Sequence, residues 1–317
     1  VIRHIVSVIR EGENVGLFPE AVRNWAGSSF FIDPSIVKLI KLLKVPIIVS
    51  VFKGMNLFNP RWSSQLRKTK VIVDYHLILT KEDVENLTED EIYSRLSSTI
   101  KHDEVEYQRH NKNTIKSNKR AEHISYSLYV CPECKAIDSF KCSGNDFYCS
   151  NCNYSLHIDK YGFFENKNDG NLHFDNIKDW YYWEEKWLLN YINDLIKDKH
   201  EGLIFSDKNS KVYHSVGSDK SEFLGTAELK LFISHIEIDF HNPLQNIKLD
   251  FHKLKTINPQ VSEILEVYYD NDAYRIVGEK KGISALKWEV ALNAIWQNLG
   301  HKNKLSTYID SSFLKIV

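Results

Sequence analysis

The sequence predicts a multidomain chain of mixed class. An α/β segment comes first, a small metal-knuckle segment follows, and an α+β strand barrel with a C-terminal helix closes the chain. Three observations predict this. Apolar runs alternate with helical stripes as far as about residue 108. Two Cys-x-x-C pairs then fall at 131–134 and 149–152. From Gly202 short β-branched runs take over, until Ser284 opens one last helical stripe.

The first element of interest is Asn14 to Trp25. Val15, Leu17 and Phe18 read as the end of a buried strand, and Pro19 stops it because proline has no amide hydrogen to donate. Glu20 and Arg23 follow three residues apart, which in a helix puts acid and base on one face. In α/β folds ligands sit outside the carboxyl edge of the sheet, and a guanidinium suits phosphate or carboxylate. The plain alternative is a surface ion pair at a turn, worth little.

Phe18-Pro19-Glu20-Ala21-Val22-Arg23-Asn24 resembles the F-P-E-G-T-R-S block of the glycerolipid acyltransferases, the lysophosphatidic acid acyltransferase family. Val45-Pro46-Ile47-Ile48-Val49 is similar to that family's V-P-I-I-P-V strand, here expected to be buried. Between them Ile36, Val37, Ile40 and Leu43 form a helical stripe within Phe30 to Lys44. The order strand, turn, helix, strand is the family's, and the likeness covers about a third of the chain. Ala21 and Val22 replace Gly and Thr, and Val49 replaces the second Pro.

The resemblance implies an enzyme that moves an acyl chain from acyl-CoA or acyl carrier protein to a lysophospholipid such as 1-acylglycerol-3-phosphate. Phe18, Pro19, Glu20 and Arg23 are then substrate-binding residues. It also implies an upstream His-x-x-x-x-Asp pair, with His as general base and Asp as its orienter. Only His4 precedes Phe18, and the residue five on is Ile9. The chain opens on Val and its only Met is Met55, so the pair is expected before residue 1 and the 317 residues alone are expected to be inactive. A His-x-x-x-x-Asp spacing at His214 and Asp219 lies far downstream and reads as coincidence.

The flanking elements read as follows. Val1 to Arg10 is the end of a helix, Val71 to Leu79 a strand, and Thr88-Glu89-Asp90-Glu91 a capping box that starts a helix through Ile92, Leu96 and Ile100. Arg109 to Arg120 is basic and almost without apolar residues. It reads as a solvated linker, with contact to anionic lipid headgroups as the alternative.

Cys131, Cys134, Cys149 and Cys152 carry the sharpest chemical signal, with fourteen residues between Cys134 and Cys149. Each knuckle aims two sulfurs at one ion, and two knuckles complete a tetrahedron. Tyr126 to Val130 is expected to enter as a strand, and Phe147 and Tyr148 lead into the second knuckle. The segment looks like a zinc ribbon whose closed four-thiolate site holds a structural zinc. Two disulfides are the competing reading and need an oxidising compartment, for which no secretion signal speaks. Cys142, the fifth cysteine, reads as a spare thiol, with exchange into the site as a ligand the alternative.

Trp180, Trp183, Trp187 and Tyr191 line one face of a helix over Asp179 to Ile196. Its polar face is expected to include Glu184 and Glu185. Packing against a neighbouring domain is favoured over a bilayer surface, because the polar face lacks the excess of Lys and Arg that interfacial helices carry. Seven short strands are expected: 203–205, 212–214, 229–232, 236–240, 247–251, 264–269 and 274–277. An amphipathic helix from Ser284 to Leu299 follows, with Trp288, Leu292, Ile295 and Leu299 on one face. This pattern resembles the pleckstrin-homology (PH) or GRAM-like superfold, in which an aromatic of the closing helix plugs the barrel. Tyr308 to Val317 adds a final strand or a tail.

The chain therefore divides at 1–108 (C-terminal part of an acyltransferase domain), 109–123 (linker), 124–160 (ribbon), 165–200 (aromatic helical connector), 201–302 (PH/GRAM-like domain) and 303–317 (tail). Hydrophobic residues make up 43%, enough for real cores, and 41 basic residues against 42 acidic ones give no field that favours nucleic acid. The ribbon carries only Lys135, Lys141 and Lys160, so a nucleic-acid partner is not expected. No run spans a membrane, so membrane contact is expected to be peripheral, at the cytoplasmic side. The rival function is a non-enzymatic adaptor with a degenerate acyltransferase domain that binds lipid or protein.

Overall fold

The computed structural model describes residues 2–20, 23–216, 220–260, 264–278 and 284–305. They form two compact units, one within Val1–Pro60 and Arg67–Lys116, the other within Arg61–Leu66 and Ser117–Ser306.

The first unit contains α1 (Ile2–Arg10), α2 (Ile36–Leu43), β1 (Ile47–Lys53), α3 (Met55–Phe58), β2 (Ile72–Leu79), α4 (Lys81–Asn86), α5 (Glu89–Ile100) and α6 (Glu104–Asn111). Strands β1 and β2 pair antiparallel, and α5 packs on both. The expected stripes meet in the core: Val37 and Ile40 of α2 join Val49, Val51, Leu79, Val84, Ile92 and Leu96. Thr88 caps α5 through the expected box with Glu91. A second box, Thr80 with Asp83, starts α4.

Three expectations are corrected here. Residues 13–18 form no strand; Phe18 is 87% exposed and Leu17 is also exposed. Among the described residues no strand pairs with this run, and without one it cannot join a sheet. The V-P-I-I strand is not buried on both faces, because only one side of the two-stranded sheet is covered. Ile48, Phe52, Tyr75 and Leu77 are exposed on the other. Finally, Arg109 to Arg120 is not solvated throughout. Helix α6 continues to Asn111, Ile115 is buried, and Arg120 is buried with its Nε donating to the Ile158 carbonyl at 3.0 Å.

The turn from β1 into α3 depends on Gly54. Its φ is +83°, and a Cβ there would meet the Lys70 carbonyl oxygen at 2.2 Å. Its amide also donates to the Glu104 carboxylate at 2.9 Å. Gly54→Ala is expected to destabilise the chain by about 2–4 kcal/mol, from left-handed strain plus the displaced backbone. Denaturant unfolding of the variant checks this.

The second unit begins with a four-stranded antiparallel meander: β3 (Phe140–Ser143), β4 (Asp146–Cys149), β5 (Ser155–Ile158) and β6 (Phe164–Asn166). The approach at Tyr126 to Val130 is not the expected strand. A 3-10 turn over Ile124–Tyr126 precedes a single bridge between Val130 and Ile137. Helix α7 (Ile177–Lys197) lays Trp180 into this core beside Phe140, Phe147, Phe164 and Trp62. Its supposed polar residues Glu184 and Glu185 are buried.

A seven-stranded antiparallel sheet follows: β7 (Phe205–Val216), β8 (Lys220–Leu231), β9 (His235–Asp239), β10 (Ile247–Asp250), β11 (Leu254–Gln260), β12 (Ile264–Tyr269) and β13 (Asp272–Gly278). Its order is β10-β9-β8-β7-β13-β12-β11, and helix α8 (Ala285–Asn298) comes after it. The order of seven antiparallel strands and then one helix is the one expected from the sequence. Seven strands were expected and seven are present, but the first two expected ones are one long strand, and β11 was missed. Helix α8 is not amphipathic in its setting, since every residue from Ala285 to Trp296 is buried. The expected hairpin at Asp270 turns with φ +50°. Tyr308 to Val317 and Asp219 lie outside the described residues.

Candidate functional site

The ribbon's hairpins bring four thiols together. The Sγ atoms of Cys131, Cys134, Cys149 and Cys152 all lie within 4.8 Å of one another. Cys131 to Cys152 and Cys134 to Cys149 are each 3.7 Å apart. Four sulfurs held about 2.3 Å from a common centre are about 3.8 Å apart along each edge of the tetrahedron. A disulfide needs about 2.05 Å, so these sulfurs are spaced for an ion and not for each other. None of the five cysteines is in a disulfide, and Cys142 lies on β3 outside the cluster.

Local turns set this spacing. The Cys131 amide donates to the Ala136 carbonyl, and Lys135, with φ +62°, donates its own amide to Cys131. On the other side Asn153, with φ +62°, donates to the Cys149 carbonyl. Polar groups then approach the sulfurs. Asn151 Nδ2 donates to Cys134 Sγ at 3.3 Å, the Asn151 amide donates to Cys149 Sγ at 3.4 Å, and Ser139 Oγ sits 3.1 Å from Cys149 Sγ. Burial works against ionising Cys134, but the Asn151 side chain and the Ala136 amide outweigh it and bring the thiol down to about 7. Burial pushes the Cys131 thiol up. The cluster is thus predisposed to thiolate at one corner, and a cation there would deprotonate the rest.

Helix α7 clamps the entry to the first knuckle. Glu184 Oε2 accepts the amides of Tyr129 at 2.9 Å and Val130 at 3.0 Å, and Trp180 Nε1 donates to the Val130 carbonyl at 3.0 Å. Burial raises the Glu184 carboxyl well above its ordinary range, although both amides pull it down. A Glu among tryptophans gives no sequence signal for this role. The Ser-Asn pair between Cys149 and Cys152 does give one, because short polar side chains inside a knuckle reach its sulfurs.

In the first unit, the proline turn places its acid and base against different backbone segments. Glu20 is half-buried and its carboxylate accepts the Phe30 amide at 3.2 Å. Burial raises its pKa, opposed by the Phe30 amide, the Ser29 hydroxyl and nearby His102. Arg23 donates to the Asn59 carbonyl at 2.7 Å. No helix follows Arg23; residues 23–33 are irregular apart from a bridge of Ser28 to Asp103. The turn is tied down instead: Ser29 donates its amide to the His102 carbonyl, and Glu104 donates to that of Gly27. His102 was not foreseen, since it stands more than seventy residues away in sequence. Pro19 is half-buried, and Phe18 stands clear of the core. His214 of β7 pairs with Asp272 of the neighbouring β13 at 2.8 Å.

Among the described residues, no helix is long and apolar enough to cross a membrane. No protein-family model matches the chain, and no curated protein matches it. Among solved structures, a Vps36 N-terminal PH domain is similar at 17% identity, covering 32% of this chain and 84% of that one, with a TM-score of 0.26.

Proposed function

We propose that this chain carries the acceptor-holding part of a phospholipid acyltransferase and that its four thiolates hold one structural zinc. The proline turn carries the first half of the reading. It presents Glu20 and Arg23 beside an exposed Phe18, in the F-P-E-x-x-R order, and β1 begins at the V-P-I-I block. The acyl donor is acyl-CoA or acyl carrier protein, and the acceptor a lysophospholipid such as 1-acylglycerol-3-phosphate. Arg23 is the group suited to the acceptor's phosphate. The protein would work at a membrane surface without spanning it. The near-tetrahedral spacing supports the zinc, and a four-thiolate set leaves no open position for catalysis. Four thiolates shared by one ion, in place of two disulfides, fit a cytoplasmic setting.

No His-x-x-x-x-Asp pair precedes Phe18 in these residues, so acyl-CoA and 1-acylglycerol-3-phosphate are expected to bind without turnover. Arg23→Ala is expected to weaken acceptor binding by about tenfold or more and donor binding much less. Equal loss for both would remove the phosphate role, and clear turnover would show a base within the chain. The adaptor reading keeps one observation in its favour: Glu20 and Arg23 both bond to their own backbone. Failure of the acceptor to bind at all would favour it.

A further inference from the structure

Helix α8 is buried from Ala285 to Trp296, yet its first turn carries a lysine. Lys287 is fully buried, and its Nζ lies between two carboxylates. One is Asp207 of β7, at 2.9 Å; the other is Asp138 of the ribbon. The ammonium also lies 4.7 Å from the centre of the Phe205 ring. Trp288 Nε1 donates to the second oxygen of Asp207 at 2.5 Å, and Ser284 Oγ donates to the Tyr126 carbonyl at 3.0 Å. One helical turn therefore joins the barrel's first strand to the ribbon.

Asp138 stands where the knuckles dictate. It follows the first knuckle, holds φ +55°, and donates its amide to the Tyr129 carbonyl at 2.8 Å. Its neighbour Ser139 touches Cys149 Sγ, and the Ser139 carbonyl accepts the Ser150 amide at 2.8 Å. The backbone around Asp138 is thus fixed from both knuckles at once. If the thiols lose their common ion, four buried or half-buried sulfurs lose what holds them 3.7 Å apart, and Asp138 loses its fixed position. Lys287 is then left in the interior with half of its counter-charge, an arrangement far costlier than either the intact cluster or an apolar replacement.

We propose that metal occupancy of the four-cysteine site controls the strand barrel: the bound ion fixes Asp138, Asp138 fixes Lys287, and release of the ion frees α8 from the barrel. The ribbon is then neither an independent finger nor a passive staple. It is a metal-sensitive latch on the closing helix. This rests on the metal reading given above and adds to it a consequence some distance from the sulfurs.

The test uses the full chain loaded with zinc. Metal content is measured first, and a chain that binds no zinc overturns both readings. With zinc confirmed, the ion is withdrawn by a chelator and amide hydrogen exchange is followed by mass spectrometry. Peptides from 205–212 and 285–298 are expected to exchange about tenfold faster or more, together with ribbon peptides from 128–158. Acceleration confined to 128–158 overturns the latch while leaving the metal site intact. Lys287→Met provides a second readout: the chelator should then extract zinc about tenfold faster. If that variant does not fold, Asp138→Asn replaces it, with the same expected acceleration. An unchanged extraction rate in a folded variant overturns the proposal.

Discussion

Cys149→Ser is expected to strip the metal and with it most of the ribbon's order. Cys149 is fully buried, at the end of β4, and its sulfur has three polar neighbours: Cys134 Sγ, Ser139 Oγ and the Asn151 amide. A serine oxygen is a poorer ligand and sits too short of the shared centre. Structural zinc sites in small domains contribute on the order of 10 kcal/mol of folding free energy, and part of that is recovered here by the surrounding core. A net loss of about 5 kcal/mol corresponds to a drop of roughly 10–20 °C in Tm for a unit of this size. Zinc content should fall below about half an equivalent, where the parent is expected to carry about one. Cys142→Ser serves as the control, because Cys142 lies outside the cluster. It should keep its zinc and shift stability by less than about 1 kcal/mol. Full zinc retention in Cys149→Ser would show that the ion is held elsewhere.

Trp180→Ala is expected to be the most damaging apolar truncation in the second unit. The indole is wholly buried, with the rings of Phe140, Phe147, Phe164 and Phe174 at centroid distances of 5.3, 5.9, 5.9 and 5.8 Å. Removing it leaves a large cavity, at a cost of about 3–5 kcal/mol. It also strands the Val130 carbonyl, which accepts the indole hydrogen. The second effect distinguishes this residue from an ordinary core aromatic. Val130 immediately precedes the first cysteine, so zinc should leave the variant faster under chelator than it leaves the parent. Calorimetry and a timed chelator assay measure the two effects separately. A variant that loses stability but releases zinc at the parent's rate would show that the indole only fills space.

Local chemistry was legible in the sequence. The two knuckles, the Thr88 box and the tryptophan stripe of α7 each lie within a few turns of chain, where spacing decides which groups can meet. The seven-stranded sheet was legible in outline, and the two errors in it have physical causes. Strand β7 looked like two pieces because the pairing register shifts between Asp207 and Ser210, where the polar Lys208 and Asn209 break the apolar period. Strand β11 was not among the expected strands; it carries Asn258 and Pro259, which are rare in strands, and it lies at the edge of the sheet, where proline is tolerated.

Non-local partners were not legible. Lys287, Glu289 and Asn293 make α8 look amphipathic, but Lys287 finds its acids 80 and 149 residues away. The proline turn failed as a strand for the same kind of reason. Val15 to Phe18 have the composition of a strand, and composition cannot supply a neighbour to pair with. In the same way, Glu20 gains a buried setting near His102 that no spacing rule anticipates.

The excursion at Arg61–Leu66 bears on how the protein can be handled. Trp62 belongs to the ribbon core, although the stretches that flank Arg61–Leu66 in sequence belong to the first unit. A cut between 116 and 117 therefore yields no clean halves. The C-terminal product would lack an indole that its interior is shaped around, and the N-terminal product would display that indole to water as a sticky loop.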